Sequence, residues 1–323
     1  MSPTRERAEA ALSTTLEKTD FSSLGTLYRG KVRDVYKTGD RLVLITSDRV
    51  SAFDHVLGTI PWKGRILNEI ALDGFQRTKD LVPNHVLSTP DPAVIVARAV
   101  TAYPIEFVVR GYITGSLWRD YQSGKAGAYG LPLPSGMQKD QALPGAPMLT
   151  PSTKAEIGQH DEPISKAEIV RRGLMTPAAL EAAEAAVIAL FRRGTEIAQA
   201  RGLILVDTKY ELGVDSEGTL RVIDEIHTPD SSRYWVADGY EERLARAEPQ
   251  KMLDKENLRE WLIEKKGFSG HGTPPALDDQ IRVDLALFYA DLYERLLSRS
   301  FRPDERPPLA RVTENLRAAG LLP

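Results

Sequence analysis

Residues 203–225, LILVDTKYELGVDSEGTLRVIDE, leave this chain little conformational choice. Four apolar residues open the segment and polar and apolar residues then alternate. Side chains of a strand point to opposite faces with period two, so Asp207, Lys209 and Glu211 are expected on one face. Asp215, Ser216, Glu217 and Gly218 are turn formers. The apolar run 220–223 then ends in Asp224-Glu225, and two such runs across a turn read as a β-hairpin. Its folding brings Lys209 and Glu211 close to Asp224 and Glu225. Period alone does not choose between those last two carboxylates. The loop that follows holds Asp230, Ser231, Ser232 and Arg233. Carboxylates with Lys and Arg in so small a region suggest a metal–phosphate site.

The helix expected before the hairpin is equally well marked. Thr176 is a natural N-cap and Pro177 suits the first helical position. Leu180, Ala183, Val187, Leu190, Phe191 and Ala198 form an apolar stripe, and Arg201-Gly202 is a stop. Nearer the N-terminus, 27–36 reads as a strand broken at Gly30, 38–40 as a turn and 41–46 as a second strand. Gly30 lets backbone N–H groups approach a phosphate, with Lys31 and Arg33 to neutralise it, although one glycine is no Walker loop. Residues 47–54 read as a polar loop, and Ile66, Leu67, Ile70, Leu72 and Phe75 as the core face of a helix. Strands are expected at 86–87, 93–100 and 105–109. Arg110-Gly111 and Gly115-Ser116 at the end of the last one can bind an anion. Residues 124–151 form a long Gly/Pro-rich loop of the kind used as a lid, binding loop or linker. In the tail, helices are expected at 240–247 and 257–266 on the surface, at 281–297, and from about 310 to 319.

Bulk composition excludes several function classes. The 323 residues are 42% hydrophobic and 27% charged, ordinary for a globular chain of about two domains. The formal charge of −3 gives no reason to expect nucleic acid. The absence of cysteine removes disulfides, thiolate nucleophiles and Cys-zinc sites. No apolar run reaches membrane-spanning length and no signal peptide opens the chain, so a cytoplasmic protein with no membrane partner is expected.

Seven segments, taken in order, resemble one family. They are YRGKVRDVY (28–36), SDRVSAFD (47–54), KGRILN (63–68), VRGYITGSLW (109–118), STK (152–154) with HDEPIS (160–165), VDTKYELG (206–213), and Asp224-Glu225 with PDSSRYW (229–235). Together they resemble SAICAR synthetase, the phosphoribosylaminoimidazole-succinocarboxamide synthase of purine biosynthesis. The resemblance implies ATP, Mg2+, L-aspartate and the carboxylated aminoimidazole ribonucleotide CAIR. It implies that ATP phosphorylates the CAIR carboxylate and that the aspartate amine attacks the acyl phosphate, releasing SAICAR, ADP and phosphate. It also implies an α+β fold in which an antiparallel-sheet lobe like the protein-kinase small lobe (1–110) meets a larger ATP-grasp-like domain with a C-terminal helical extension (111–323). The active site would lie in the cleft between them.

By the same resemblance, Gly30, Lys31, Val32, Arg33 and Lys154 bind ATP, together with Glu211. Glu211 and Asp224 hold Mg2+, and the resemblance thereby selects Asp224 over Glu225. Arg110, Ser116 and Arg233 grip the CAIR phosphate, and Lys209 and Asp224 are the catalytic pair, with Lys209 at the CAIR carboxylate. Asp207 is expected to support them. Asp48, Ser51 and Asp54 are expected in the CAIR or aspartate pocket. Some family members carry Lys where this chain has Arg33. The tail after Trp235 carries no motif; it is expected to cover a surface that shorter relatives use for pairing, which favours a monomer. Two other classes would use the same residues, a small-molecule phosphotransferase and a nucleotide sensor whose acids are structural ion pairs. The chain has no His-Arg-Asp loop and no Asp-Phe-Gly to support the phosphotransferase.

Overall fold

A computed structural model describes residues 2–53, 55–154, 161–253 and 256–323. The chain is mixed α and β, with antiparallel sheets. It divides into two units: residues 1–73, 85–99 and 255–323 form the first, and 74–84 with 100–254 the second.

Helix α1 (Arg5–Ala11) opens unit 1, capped by the Thr4 hydroxyl. A five-stranded sheet follows, in the order β1 (Thr26–Arg29), β2 (Arg33–Thr38), β3 (Arg41–Thr46), β7 (Val94–Arg98), β6 (Val86–Asp91). β4 (Arg49–Ala52) and β5 (His55–Thr59) make a separate ribbon, and α2 (Lys63–Thr78) begins in this unit. The expectation of a polar loop over 47–54 therefore needs correcting: Val50 and Ala52 are buried in a strand. Ser47, Asp48 and Arg49 misled because they are buried with partners rather than solvated. The expected interruption at 89–92 is likewise shorter, since β6 runs through Pro90 to Asp91. As an outermost strand of its sheet, β6 can tolerate a residue with no N–H to donate.

Unit 2 is organised around β12 (Leu203–Val214), twelve residues long. It pairs antiparallel with β9 (Ile105–Arg110), with β13 (Leu220–Ile223), with β14 (Ser232–Val236) and with the short β8 (Thr101–Ala102). The short strands β10 (Met148–Leu149) and β11 (Ser152–Thr153) extend the sheet along β9. The hairpin read from the sequence is present, with Glu211 opposite Ile223. Helix α3 (Gly115–Gln122) follows β9, and α4 (Lys166–Arg171) precedes the long α5 (Pro177–Gln199). The Thr176 hydroxyl caps α5 by accepting from Ala179 N, and the expected stripe is its buried face. The unit closes with α6 (Tyr240–Ala245), which is no surface helix throughout: Tyr240 stacks on Trp235 in the core.

The tail then rejoins unit 1 as α7 (Glu256–Lys266), α8 (Asp279–Leu297) and α9 (Pro308–Ala318). The two units thus differ from a division at residue 110. Val312 and Leu316 of α9 pack with Tyr36, Val43, Ile45, Val94 and Val96 on the five-stranded sheet. Arg311 makes a two-pronged ion pair with buried Asp91, at 2.9 and 3.1 Å, and Asn315 adds a third bond. Burying an unpaired carboxylate is costly, so this network ties the tail to the N-terminal strands. No described helix is long and apolar enough to cross a membrane.

Candidate active site

In unit 2, the antiparallel register sets Asp207 opposite Arg110 and Lys209 opposite Val108. Period two then places Glu106 and Arg110 of β9 on the same face as Asp207, Lys209 and Glu211 of β12. From Asp207 to Glu211 that face runs about 13 Å. Its two ends carry different chemistry.

At one end a single carboxylate oxygen holds two guanidinium groups. Arg110 Nη1 donates to Asp207 Oδ2 at 2.7 Å, and Arg233 Nη1 donates to the same oxygen at 2.6 Å. Arg110 also donates to Ser116 Oγ at 3.0 Å and to Thr150 Oγ1 at 2.8 Å, which fixes its plane. Burial pushes the Arg110 guanidinium below its usual range, and the Asp207 carboxylate opposes that shift. Two positive groups meet on one carboxylate oxygen, an arrangement whose remaining N–H donors suit an anion. Gly115 belongs to the arrangement. It sits at φ +55°, and a Cβ there would stand 2.5–2.7 Å from the Arg233 guanidinium. The resemblance groups Arg110, Ser116 and Arg233; in the structure Arg110 bonds to Ser116, and Asp207 is the group that holds the two arginines together.

At the other end Lys209 Nζ donates to Glu211 Oε1 at 2.8 Å and to Glu106 Oε1 at 3.0 Å, while Lys154 Nζ donates to Glu211 Oε2. Burial pushes the Glu211 carboxyl up, but Lys209 and Lys154 outweigh it and hold it well below the usual range. Burial also pulls the Lys209 ammonium down. Glu211, Glu106 and Asp224 outweigh that, and Lys209 stays protonated. Glu106 is raised by burial, partly offset by Lys209. Asp224 follows the residue paired with Glu211 across the hairpin, and it adopts φ +66°. Among the described residues, no three His, Cys, Asp or Glu side chains gather into a metal cage.

Glu106 is a residue the sequence reading passed over. The signal was available, since Glu106 lies four residues before Arg110 in one strand. What was lacking was the register that sets it beside Lys209.

Unit 1 holds the glycine loop. Between β1 and β2, Gly30 N donates to Arg33 O at 2.8 Å and closes a tight turn. The Arg49 side chain donates to Lys31 O and Gly30 O, each at 3.0 Å, and to Asp34 Oδ1 at 2.9 Å. Ser47 adds bonds to Val32 O from its amide (2.9 Å) and hydroxyl (2.7 Å). The three loop carbonyls are thus all pinned by side chains of Ser47 and Arg49. Lys31 is exposed, whereas Arg33 is buried. Arg49 was overlooked in the sequence because it stood inside a motif read as a substrate loop.

Asp48 proves to be committed to the backbone: Oδ2 accepts from Leu16 N at 2.7 Å and Oδ1 from Gly64 N at 2.9 Å. Burial raises its carboxyl, and those two amides pull it back. Ser51 is half-buried on β4, and Asp54 lies outside the described residues, as does His160 of the HDEPIS segment.

Comparison with known proteins gives one answer. A family model described as SAICAR synthetase matches residues 26–273, more than half of the chain. A phosphoribosylaminoimidazole-succinocarboxamide synthase of Bacteroides thetaiotaomicron is 48% identical over 308 residues, covering 93% of this chain and 97% of that relative. A chloroplastic synthase of the same name from Arabidopsis thaliana is 44% identical, over 94% of this chain and 76% of its own. Among solved structures, a SAICAR synthase of Saccharomyces cerevisiae, complexed with SAICAR, superposes with a TM-score of 0.74. It is 29% identical and covers 89% of this chain and 99% of its own.

Proposed function

The chain belongs to the SAICAR synthetase family, and we propose that its two-ended face performs that family's ligation: L-aspartate joined to the carboxylate of CAIR at the expense of ATP. The observation that carries the reading is the β9–β12 face, with paired arginines at one end and Lys209 among carboxylates at the other. CAIR is a phosphate and a carboxylate separated by a ribose and an imidazole. The Arg110–Asp207–Arg233 group receives the phosphate, assisted by the Ser116 hydroxyl. The carboxylate is then proposed to lie at Lys209.

A carboxylate is a poor electrophile, so it must first be phosphorylated. Phosphoryl transfer asks the protein mainly for positioning and charge neutralisation. Lys209, held protonated by its acidic neighbours, donates to the CAIR carboxylate and neutralises the acyl phosphate as it forms. Lys154, now paired with Glu211, turns to the ATP phosphates. The Gly30 N–H closes the turn onto Arg33 O, and the loop at Gly30, Lys31 and Val32 is proposed to offer phosphate the N–H groups beyond Gly30, with Lys31 and Arg33 as cations. The neutral aspartate amine then attacks the acyl carbon and phosphate departs. Ser51 and Asp54 are proposed for the CAIR or aspartate pocket. Asp48 is proposed for the same pocket, its two oxygens also accepting from the Leu16 and Gly64 amides.

Glu211 and Asp224 fit Mg2+. It is a hard ion, usually bound through one or two carboxylates plus substrate phosphates and water rather than by an all-protein cage. When bound it would draw charge from the transferring phosphoryl group. We also read the five-stranded sheet and glycine loop as a kinase-small-lobe type, and unit 2 as an ATP-grasp type.

The test is an assay of purified protein with ATP, CAIR and aspartate, each omitted in turn. SAICAR and ADP should form together and only with all three. ADP release from ATP and CAIR that is undiminished without aspartate would replace the ligase with a phosphotransferase.

A further inference from the structure

The turn that delivers Asp224 is strained twice within four residues. Asp224 and His227 both have positive φ, +66° and +56°. Side-chain-bearing residues keep that conformation only where their surroundings over-determine it. The surroundings here are specific. His227 is buried, and its Nε2 lies 2.7 Å from the Tyr210 hydroxyl, the two rings meeting edge to face. Tyr234 donates its hydroxyl to His227 O at 2.8 Å. The imidazole is pressed against α5 at Gly194, where a Cβ would stand 2.7 Å from Cε1 and Nε2. Ile226 is fully buried, and the Thr228 hydroxyl donates to the Glu225 carboxylate.

Tyr210 connects this cluster to the proposed chemistry. It lies between Lys209 and Glu211 on β12, and strand alternation sends its side chain to the opposite face. One strand therefore bears the lysine–carboxylate face on one side and the anchor of the Asp224 turn on the other. The imidazole is kept neutral by burial, its pKa pulled down to about 3. The contact is thus an uncharged hydrogen bond in a dry site.

We propose that Tyr210 and His227 are positioning residues, whose hydrogen bond latches the 224–228 turn behind β12 and so sets where the Asp224 carboxylate stands beside Glu211 for a divalent cation. The proposal rests on the reading of Glu211 and Asp224 as the cation's carboxylates. Neither Tyr210 nor His227 is proposed to touch substrate. The latch acts on the cation end of the face; Tyr234 and Thr228 link the turn to the strand that carries Arg233, whose guanidinium keeps its own bond to Asp207, so CAIR affinity is the control for spread along that strand.

The experiment measures Mn2+ binding to the full chain with ATP by electron paramagnetic resonance, and CAIR binding separately by calorimetry. Tyr210→Phe removes the hydroxyl and keeps the ring. His227→Leu removes the partner, while His227→Gln offers a polar group again at the same backbone cost. Tyr210→Phe and His227→Leu are expected to weaken Mn2+ by roughly five- to tenfold, the scale of one lost hydrogen bond. His227→Gln is expected to recover most of that loss, and CAIR affinity to stay within about twofold in all three. Unchanged Mn2+ binding in Tyr210→Phe overturns the latch. So does a parallel loss of Mn2+ and CAIR affinity, the sign of general loosening, or a Gln variant no better than Leu. Asp224→Asn separates the two levels. If it leaves Mn2+ affinity intact, the carboxylate assignment itself fails; if it weakens Mn2+ while Tyr210→Phe does not, only the latch fails.

Discussion

Replacing Gly115 with alanine tests the phosphate end without removing any charged group. Gly115 has φ +55°, and an added Cβ would sit 2.5, 2.6 and 2.7 Å from Arg233 Nη1, Nη2 and Cζ. The guanidinium is the far end of a long side chain, so it moves aside and the fold survives. Two costs follow. Alanine in the left-handed region costs about 1–2 kcal/mol of stability. Displacing Arg233 from the phosphate removes a charge-assisted hydrogen bond, about 1.5–3 kcal/mol of binding. At 1.4 kcal/mol per factor of ten, the CAIR KM rises roughly ten- to a hundredfold. The grip on phosphate does not change between ground and transition state, so kcat should hold nearly constant. Initial-rate kinetics with CAIR and ATP varied separately measures this, with Arg233→Ala as comparator and the double variant expected to be less than additive. A lowered melting temperature with an unchanged CAIR KM would remove Arg233 from the phosphate site. An equal rise in the ATP KM would show that the damage is not local.

Glu211→Gln and Asp224→Asn should each lower turnover by about a hundredfold or more at saturating Mg2+ while leaving the circular dichroism spectrum unchanged; near-normal rates in both would count against the metal assignment. Asp48→Asn should destabilise the chain by about 1–3 kcal/mol in urea titrations, because it sets an NH2 group against a backbone amide. A raised CAIR or aspartate KM at unchanged stability would instead make Asp48 a substrate contact. His227 also makes stability depend on pH. Its imidazole falls from an ordinary 6.5 to about 3 on folding, so the unfolded chain takes up the proton first and stability drops as pH falls below 6.5. Between pH 6.5 and about pH 5 the loss is roughly 2 kcal/mol, and it should vanish in His227→Leu. A wild-type stability flat across that interval would show that the imidazole is not buried neutral.

The parts of this fold that could be read from sequence are those with local causes. Alternation places Asp207, Lys209 and Glu211 together because the pleat itself is local. The start of α5 is legible because its cap bonds to a residue three positions on. What could not be read depends on register. The spacing of Glu106 from Arg110 puts the two on one face of a strand, but that Glu106 meets Lys209 follows only once Asp207 is set opposite Arg110. The tail is illegible for the same reason. Arg311 and Asp91 are 220 residues apart, and neither has a local pattern that points to the other.

The SDRVSAFD segment reads as a loop rather than a strand for a different physical reason. Asp, Arg and Ser in one short run suggest a wet, substrate-facing loop, because isolated charges avoid burial. Burial becomes acceptable when every lone pair and every N–H finds a partner. Asp48 meets that condition with two backbone amides, and Arg49 with three backbone carbonyls and the Asp34 carboxylate. Both residues face backbone, so composition offers no sign of their partners. The functional consequence is nevertheless direct. A loop that must offer N–H groups to phosphate has to have its carbonyls turned away. Arg49 and Ser47 take the carbonyls of Gly30, Lys31 and Val32. Ser47 and Arg49, neighbours in sequence of the residues proposed for the substrate pocket, are thus the support on which the proposed donor geometry of the glycine loop rests.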